Sequence, residues 1–130
     1  MISNVRNESD HEQFCYVTTI GRRTGRPHTI EIWFGRNGDS IYMLSGGADR
    51  SDWVKNIKAS GEVTVRIGTE TFAGSARVVE DSAEDGLARR LLADKYGRGQ
   101  DLRRWLREAL PVAIDFESDR RDVRVVSWAG

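Results

Sequence analysis

The chain has 130 residues, enough for one domain with a real core and too few for two. Its 20 Lys and Arg balance 20 Asp and Glu, which weighs against a generic nucleic-acid binder, whose surface normally carries a basic excess. The single cysteine, Cys15, cannot close an internal disulfide and no apolar run nears membrane-spanning length, so a reducing cytoplasm without membrane attachment is expected.

Residues 1–12 are polar and read as a flexible N-terminal arm, leaving 13–130 as the single folded domain. The first strand is expected over Phe14 to Ile20, with Cys15, Val17 and Thr19 on one face and Tyr16, Thr18 and Ile20 on the other. Cys15 has no His and no helix start nearby to activate it and reads as a packing residue. Next comes the turn Gly21-Arg22-Arg23-Thr24-Gly25-Arg26-Pro27. Its glycines permit positive φ, and Pro27 starts the following strand cleanly. Three arginines within one turn concentrate positive charge, and Arg forks with free backbone N–H groups are what phosphates and carboxylates need. The turn is either an anion clamp for a phosphate-bearing cofactor or a solvated basic hairpin.

The second strand, His28 to Gly35, puts Ile30, Ile32 and Phe34 on a core face and Thr29, Glu31 and Trp33 opposite. Glu31 is either a surface carboxylate paired with an arginine or a cleft residue. Asn37-Gly38 signals a type I′ hairpin. The third strand spans Ser40 to Ser45 and runs into Gly46-Gly47, where backbone can approach a ligand. Ser51 and Asp52 then open a helix to about Ser60, with Trp53, Val54 and Ile57 as its apolar stripe and Asn56 placed to brace the neighbouring loop.

Val63, Val65 and Ile67 face inward on the next strand. Another follows from Thr71 to Glu80, with Gly74 as a bulge or bend. Ser82 to Asp85 resembles a capping box ahead of a helix carrying Leu87, Leu91, Leu92 and Tyr96. A short helix, Asp101 to Leu110, is stopped by Pro111. Val112, Ile114 and Phe116 form a strand, Asp119 to Asp122 a charged turn, and Val123 to Trp128 the last strand. The total is about seven strands and three short helices. Tight turns favour antiparallel pairing in a mainly β (α+β) barrel with helices on its openings.

Neither His11 nor His28 has partners at metal-ligand spacing, and phosphate-loop, dinucleotide and nucleophile-elbow motifs are missing. Chemistry, if any, would reside in a bound cofactor.

The run Thr18-Thr19-Ile20-Gly21-Arg22-Arg23-Thr24-Gly25-Arg26-Pro27-His28 resembles the opening hairpin of the deazaflavin-dependent nitroreductase family of split β-barrel oxidoreductases. The resemblance continues through Ser45-Gly46-Gly47, Trp53, Asn56, Ala59 and Val63 to Gly68, covering roughly Phe14 to Val79. It implies a split barrel that binds coenzyme F420 and passes hydride to a small electron-poor acceptor such as a quinone, enone or nitro compound. By the same resemblance, Arg22, Arg23, Thr24 and Gly25 grip the phosphate and acidic tail. Ser45, Gly46 and Gly47 lie near the deazaflavin ring, and the helix of Trp53 flanks the site. Tyr16, Tyr42 and Ser45 are the hydroxyls that could orient an acceptor.

The chain lacks the proline of many relatives at Ile30-Glu31-Ile32 and the lysine of some beside the glycines. It also lacks the amphipathic leader of membrane-associated relatives, which favours a soluble protein. The alternatives are an FMN-loaded barrel of the same shape, or a cofactor- or nucleic-acid-binding barrel without turnover, which zero net charge disfavours. Split barrels of this kind often form a homodimer, and Trp33 or Trp128 could mark its interface.

Overall fold

The computed structural model describes residues 11–97 and 101–117. Among these residues, seven strands run in the order β1 (Cys15–Ile20), β2 (Pro27–Ile32), β3 (Gly35–Asn37), β4 (Ser40–Ser45), β5 (Glu62–Ile67), β6 (Glu70–Val78) and β7 (Leu110–Phe116). A 3-10 turn (Ala48–Arg50) and helix α1 (Asp52–Ala59) separate β4 from β5. Helices α2 (Ser82–Tyr96) and α3 (Arg103–Glu108) separate β6 from β7.

All strands belong to one antiparallel sheet of spatial order β2-β1-β5-β6-β7-β4-β3. Its two edges, β2 and β3, are joined only by Trp33 and Phe34. Three Cα steps span at most roughly 11 Å, so the sheet must curl until its edges nearly meet. Closure stops there. Among the described residues, β3 pairs only with Ser40, Ile41 and Tyr42, so Met43 to Ser45 have no partner there on that side. The unpaired end of β4 and the unpaired edge of β2 leave the barrel split.

The core follows from the strand period. On β1 and β5 the alternate residues Cys15, Val17, Thr19, Val63, Val65 and Ile67 are buried. With Ile41, Met43, Val112 and Ile114 they fill the barrel, and α1 adds Val54 and Ile57. The other faces of β4 and β7 contribute Tyr42, Leu44 and Ala113 to a second cluster under α2, with Ala88, Leu92 and Tyr96. β4 is therefore buried on both faces.

Several expectations need correction. Trp33 does not lie on an exposed sheet face: β2 ends at Ile32, and Trp33 turns into the second cluster. There it stacks on Tyr96 (centroids 4.3 Å, 3° between planes) and meets Trp105 edge-on at 5.5 Å. The hairpin after β3 turns on Gly38-Asp39, and only Gly38 has positive φ (63°), which suits a type II′ turn rather than I′. Gly74 makes no bulge. Its ladders to β5 and β7 are continuous, and the glycine is needed because a Cβ would lie 2.7 Å from Ile114 Cγ2.

Asp81, not Ser82, caps α2, accepting from the Glu84 N–H at 2.9 Å. Pro111 stands inside β7 instead of after a helix, one residue from the strand's start, where a missing N–H is tolerated. The strand expected over Val123 to Trp128, the charged turn before it and Trp128 itself lie outside the described residues, as does most of the arm over 1–12. The seventh strand is instead the short β3. Among the described residues, no helix is long and apolar enough to cross a membrane.

Candidate functional site

Two cavities line the seam along β2. The first, about 430 Å³, is bounded by the turn residues Gly21 to Thr24, by His28, Thr29 and Ile30 of β2, and by Asp52, Trp53 and Asn56 of α1. The second, about 480 Å³, is bounded by Phe14, Glu31, Ile32 and Trp33, by Leu44, Ser45 and Gly46 at the end of β4, and by Ser51, Trp53, Leu102 and Trp105. Trp53 lines both, so the two compartments meet at its indole. The cationic compartment lies at one end and the aromatic compartment at the other.

The turn is shaped by its own hydrogen bonds. Gly21 N–H donates to Arg26 O and Gly25 N–H to Gly21 O, both at 2.8 Å. The Thr24 hydroxyl accepts from Arg26 N–H at 3.1 Å. Gly25 sits at φ 74°. Gly21 has no positive φ; a Cβ there would stand 2.8 Å from His28 Nε2 and would push the ends of the His28 and Thr24 side chains aside.

Asn56 ties the turn to α1. Its Oδ1 accepts from Arg22 N–H (3.2 Å) and from Arg22 Nη1 (2.8 Å), and its Nδ2 donates to the buried Thr19 hydroxyl (3.1 Å). Arg22 Nη2 also meets Asp52 Oδ1 at 3.3 Å. Among the described residues, Arg23 and Arg26 have no side-chain partner. The Arg23 guanidinium, which lines the cavity, is thus free for an anion beside that of Arg22, which is held in place; Arg26 does not line the cavity.

The backbone of β2 adds a further element. The Gly21 N–H to Arg26 O bond places these two residues at a hydrogen-bonded position in register with the β1–β2 ladder. Such pairs alternate with open ones along antiparallel strands, so Thr18–Thr29 and Tyr16–Glu31 are open pairs. The N–H and C=O groups of Thr29 and Glu31 therefore point away from β1. Because β2 is an edge of the sheet among the described residues, they face the seam with no strand partner there. This row of donors and acceptors suits the edge of a planar heterocycle, and the rings of Trp33, Trp53 and Trp105 suit its faces.

Ser45 is 2% exposed; its hydroxyl donates to Ala48 O at 3.0 Å and shares a hydrogen bond with Ser51 Oγ at 3.0 Å. That contact takes the Ser51 side chain away from capping α1. Gly46 passes Trp105 with room only for a Cβ in van der Waals contact (3.7 Å), while a Cβ on Gly47 would collide with Ser51 Oγ. The loop is strained at Ala48, whose φ is 53°. Of the residues expected at a site, Arg22, Arg23, Thr24 and Trp53 line the first cavity and Ser45, Gly46 and Trp53 the second. Gly25 and Gly47 line neither.

Of the hydroxyls that could orient an acceptor, Tyr16 donates to Glu31 at 2.7 Å, a bond that raises its phenol above the ordinary value. Glu31 is thus partnered by a tyrosine and not an arginine, and it lines the second cavity. Tyr42 points under α2 to Glu84, away from both cavities. Burial pushes the Cys15 thiol up to about 12, which fits a packing role. Asp52, His28, Thr29, Ile32, Trp33, Leu102 and Trp105 line the cavities without having been expected at a binding site from sequence. Among the described residues, no group of His, Cys, Asp and Glu could hold a metal ion.

Residues 5–117 match the family model described as F420H(2)-dependent quinone reductase. The F420H(2)-dependent quinone reductase of Mycobacterium tuberculosis is 31% identical over 70 residues, covering 52% of this chain and 47% of that protein. The chain thus spans about half the length of the curated relatives it matches. Among solved structures, an F420-H2 dependent reductase (FDR-A) superposes with a TM-score of 0.64 at 22% identity, covering 79% of this chain and 93% of that one. An FAD-binding protein from Mesorhizobium loti gives a TM-score of 0.66 at 12% identity over 90% of this chain and 88% of that one. At these identities the two structures establish a shared fold.

Proposed function

The chain belongs to the F420H(2)-dependent quinone reductase family, and from that premise we propose that it binds coenzyme F420 along the seam and reduces a quinone. The observation that supports this most is the pair of compartments joined at Trp53, one cationic and one aromatic, which matches a molecule with an anionic tail and a flat ring. Arg22, Arg23 and Thr24 would hold the tail. Gly25 would keep the turn in shape, and Gly47 would keep the loop beside Gly46 close to Ser51. The open backbone groups of Thr29 and Glu31 would meet the polar edge of the ring, and Ser45 and Gly46 would form its floor with Trp53.

Bound in reduced form, F420 supplies hydride chemistry. The protein then has three tasks: to fix the ring, to exclude water with the tryptophans, and to admit a flat acceptor beside it. Wider acceptors, enones and nitro compounds, belong to the same proposal. So do a homodimer, and a cytoplasmic location in which Cys15 remains a thiol. The fold by itself does not choose between flavins and F420.

The test is to mix the protein with reduced F420 and a short-chain quinone and to follow the return of the oxidised deazaflavin absorbance, with FMN as the comparison arm. Quinone-dependent oxidation is expected, and none would remove the proposal. Turnover with FMN alone would transfer the site to that cofactor.

A further inference from the structure

A carboxylate stands among the cations of the first cavity. Asp52 Oδ1 lies 3.3 Å from Arg22 Nη2, and the Asp52 side chain is 87% exposed while that of Arg22 is 23% exposed. The two ends of the guanidinium are therefore held differently. Nη1 is anchored on Asn56 Oδ1 at 2.8 Å, whereas Nη2 makes a longer contact with a solvated, movable group. An anion entering the cavity can release Nη2 from Asp52 without dislodging Arg22. The released carboxylate then remains within a few ångströms of the bound anion and repels it.

We propose that Asp52 is a built-in competitor for the anion at Arg22, which weakens every anion that takes Nη2 from it. This rests on reading the turn as an anion clamp. Every anion that takes Nη2 from Asp52 meets the same penalty. A polyanion that also engages Arg23, which has no partner among the described residues, offsets it with a further contact, whereas a small anion that reaches only Arg22 does not. Asp52 thus sets a threshold that lowers the affinity of all of them by a similar factor. Its position in the first turn of α1, where a negative charge favours the helix dipole, is a separate structural contribution. That contribution would act on stability and not on anion affinity.

The experiment measures dissociation constants of inorganic phosphate and of F420 for the wild-type protein, Asp52→Asn and Asp52→Glu, at low and high salt. Exposed ion pairs of this kind are worth up to about a fivefold effect. Asp52→Asn should tighten both phosphate and F420 by about three- to fivefold, and the gain should fade at high salt. Asp52→Glu should keep the wild-type affinities. If the wild type binds F420 while Asp52→Asn leaves both affinities unchanged, the competitor is disproved and the clamp stands. If none of the proteins binds phosphate or F420, the clamp fails and the competitor with it.

Discussion

The side-chain oxygen of Asn56 accepts two hydrogen bonds from Arg22, one from its main-chain N–H and one from its guanidinium. A buried residue of α1 thereby sets both the path of the turn and the aim of its first arginine. The Asn56 amide is itself oriented by its donor bond to Thr19, inside the barrel. The site's geometry is thus tied to the core through one side chain.

Replacing Asn56 with Ala should lower both stability and F420 affinity. It removes the partner of the buried Thr19 hydroxyl, a loss of about 1–3 kcal/mol. It also frees Arg22 to move. Urea denaturation and a cofactor titration on the same variant measure the two effects, and a loss of stability with unchanged affinity would show that Arg22 needs no brace.

Arg22→Ala with Arg23→Ala should separate the two quantities. Arg23 has no partner among the described residues, and Asn56 Oδ1 keeps the Arg22 main-chain N–H when the guanidinium is lost, so stability should change little. Charge-assisted contacts are worth about 1.5–3 kcal/mol each, so affinity should fall by at least about tenfold. An unchanged dissociation constant in the double variant would return the turn to the role of a solvated hairpin.

Tyr96→Phe should act on the aromatic compartment from outside it. The Tyr96 hydroxyl bonds Phe34 N–H (3.0 Å), Phe34 O (2.9 Å) and Gln13 O (2.7 Å), which fixes the two-residue link between the sheet edges. Losing the hydroxyl leaves a buried backbone N–H without that acceptor, at about 1–3 kcal/mol. The Trp33 stack should loosen with it. A lower urea midpoint together with a weakened near-ultraviolet circular dichroism signal is expected.

Acid stability should depend on Glu84. Hydrogen bonds from Arg77, then from Tyr42, hold its carboxyl at about 2, below the ordinary 4.5. A depressed folded pKa stabilises the protein above the unfolded value. That contribution is lost as pH falls from about 4.5 toward about 2, because the unfolded chain takes up the proton first. Asp115, held down by Arg77, adds a change of the same sign. Glu84→Gln should flatten the stability profile across this window and lower stability at neutral pH. A profile identical to wild type would show that the Arg77 network contributes nothing.

Features set by local chemistry were legible in the sequence. The Gly and Pro punctuation located the arginine turn, strict alternation gave β5 with its buried face, and the helical stripe with its polar Asn56 pointed to the brace. Features set by distant pairing were not. Trp33 reads as part of β2 by periodicity, but the closing sheet ends that strand at Ile32 and swings the indole under α2. The seam itself exists because β3 is too short to cover Met43 to Ser45, a fact carried by the β3–β4 register and by no residue alone. Trp105 and Leu102 look like ordinary apolar positions of a short helix until α3 is packed beside Gly46. The backbone groups of Thr29 and Glu31 become available only once β2 is known to be an edge.

The most direct test of the central claim is a titration of the wild-type protein with F420, following intrinsic tryptophan fluorescence. Trp53 borders both compartments, and Trp33 and Trp105 border the second. Saturable quenching that is lost in the Arg22/Arg23 double alanine variant is the predicted result. A flat signal up to high micromolar F420, or quenching that the double variant leaves intact, would contradict the account.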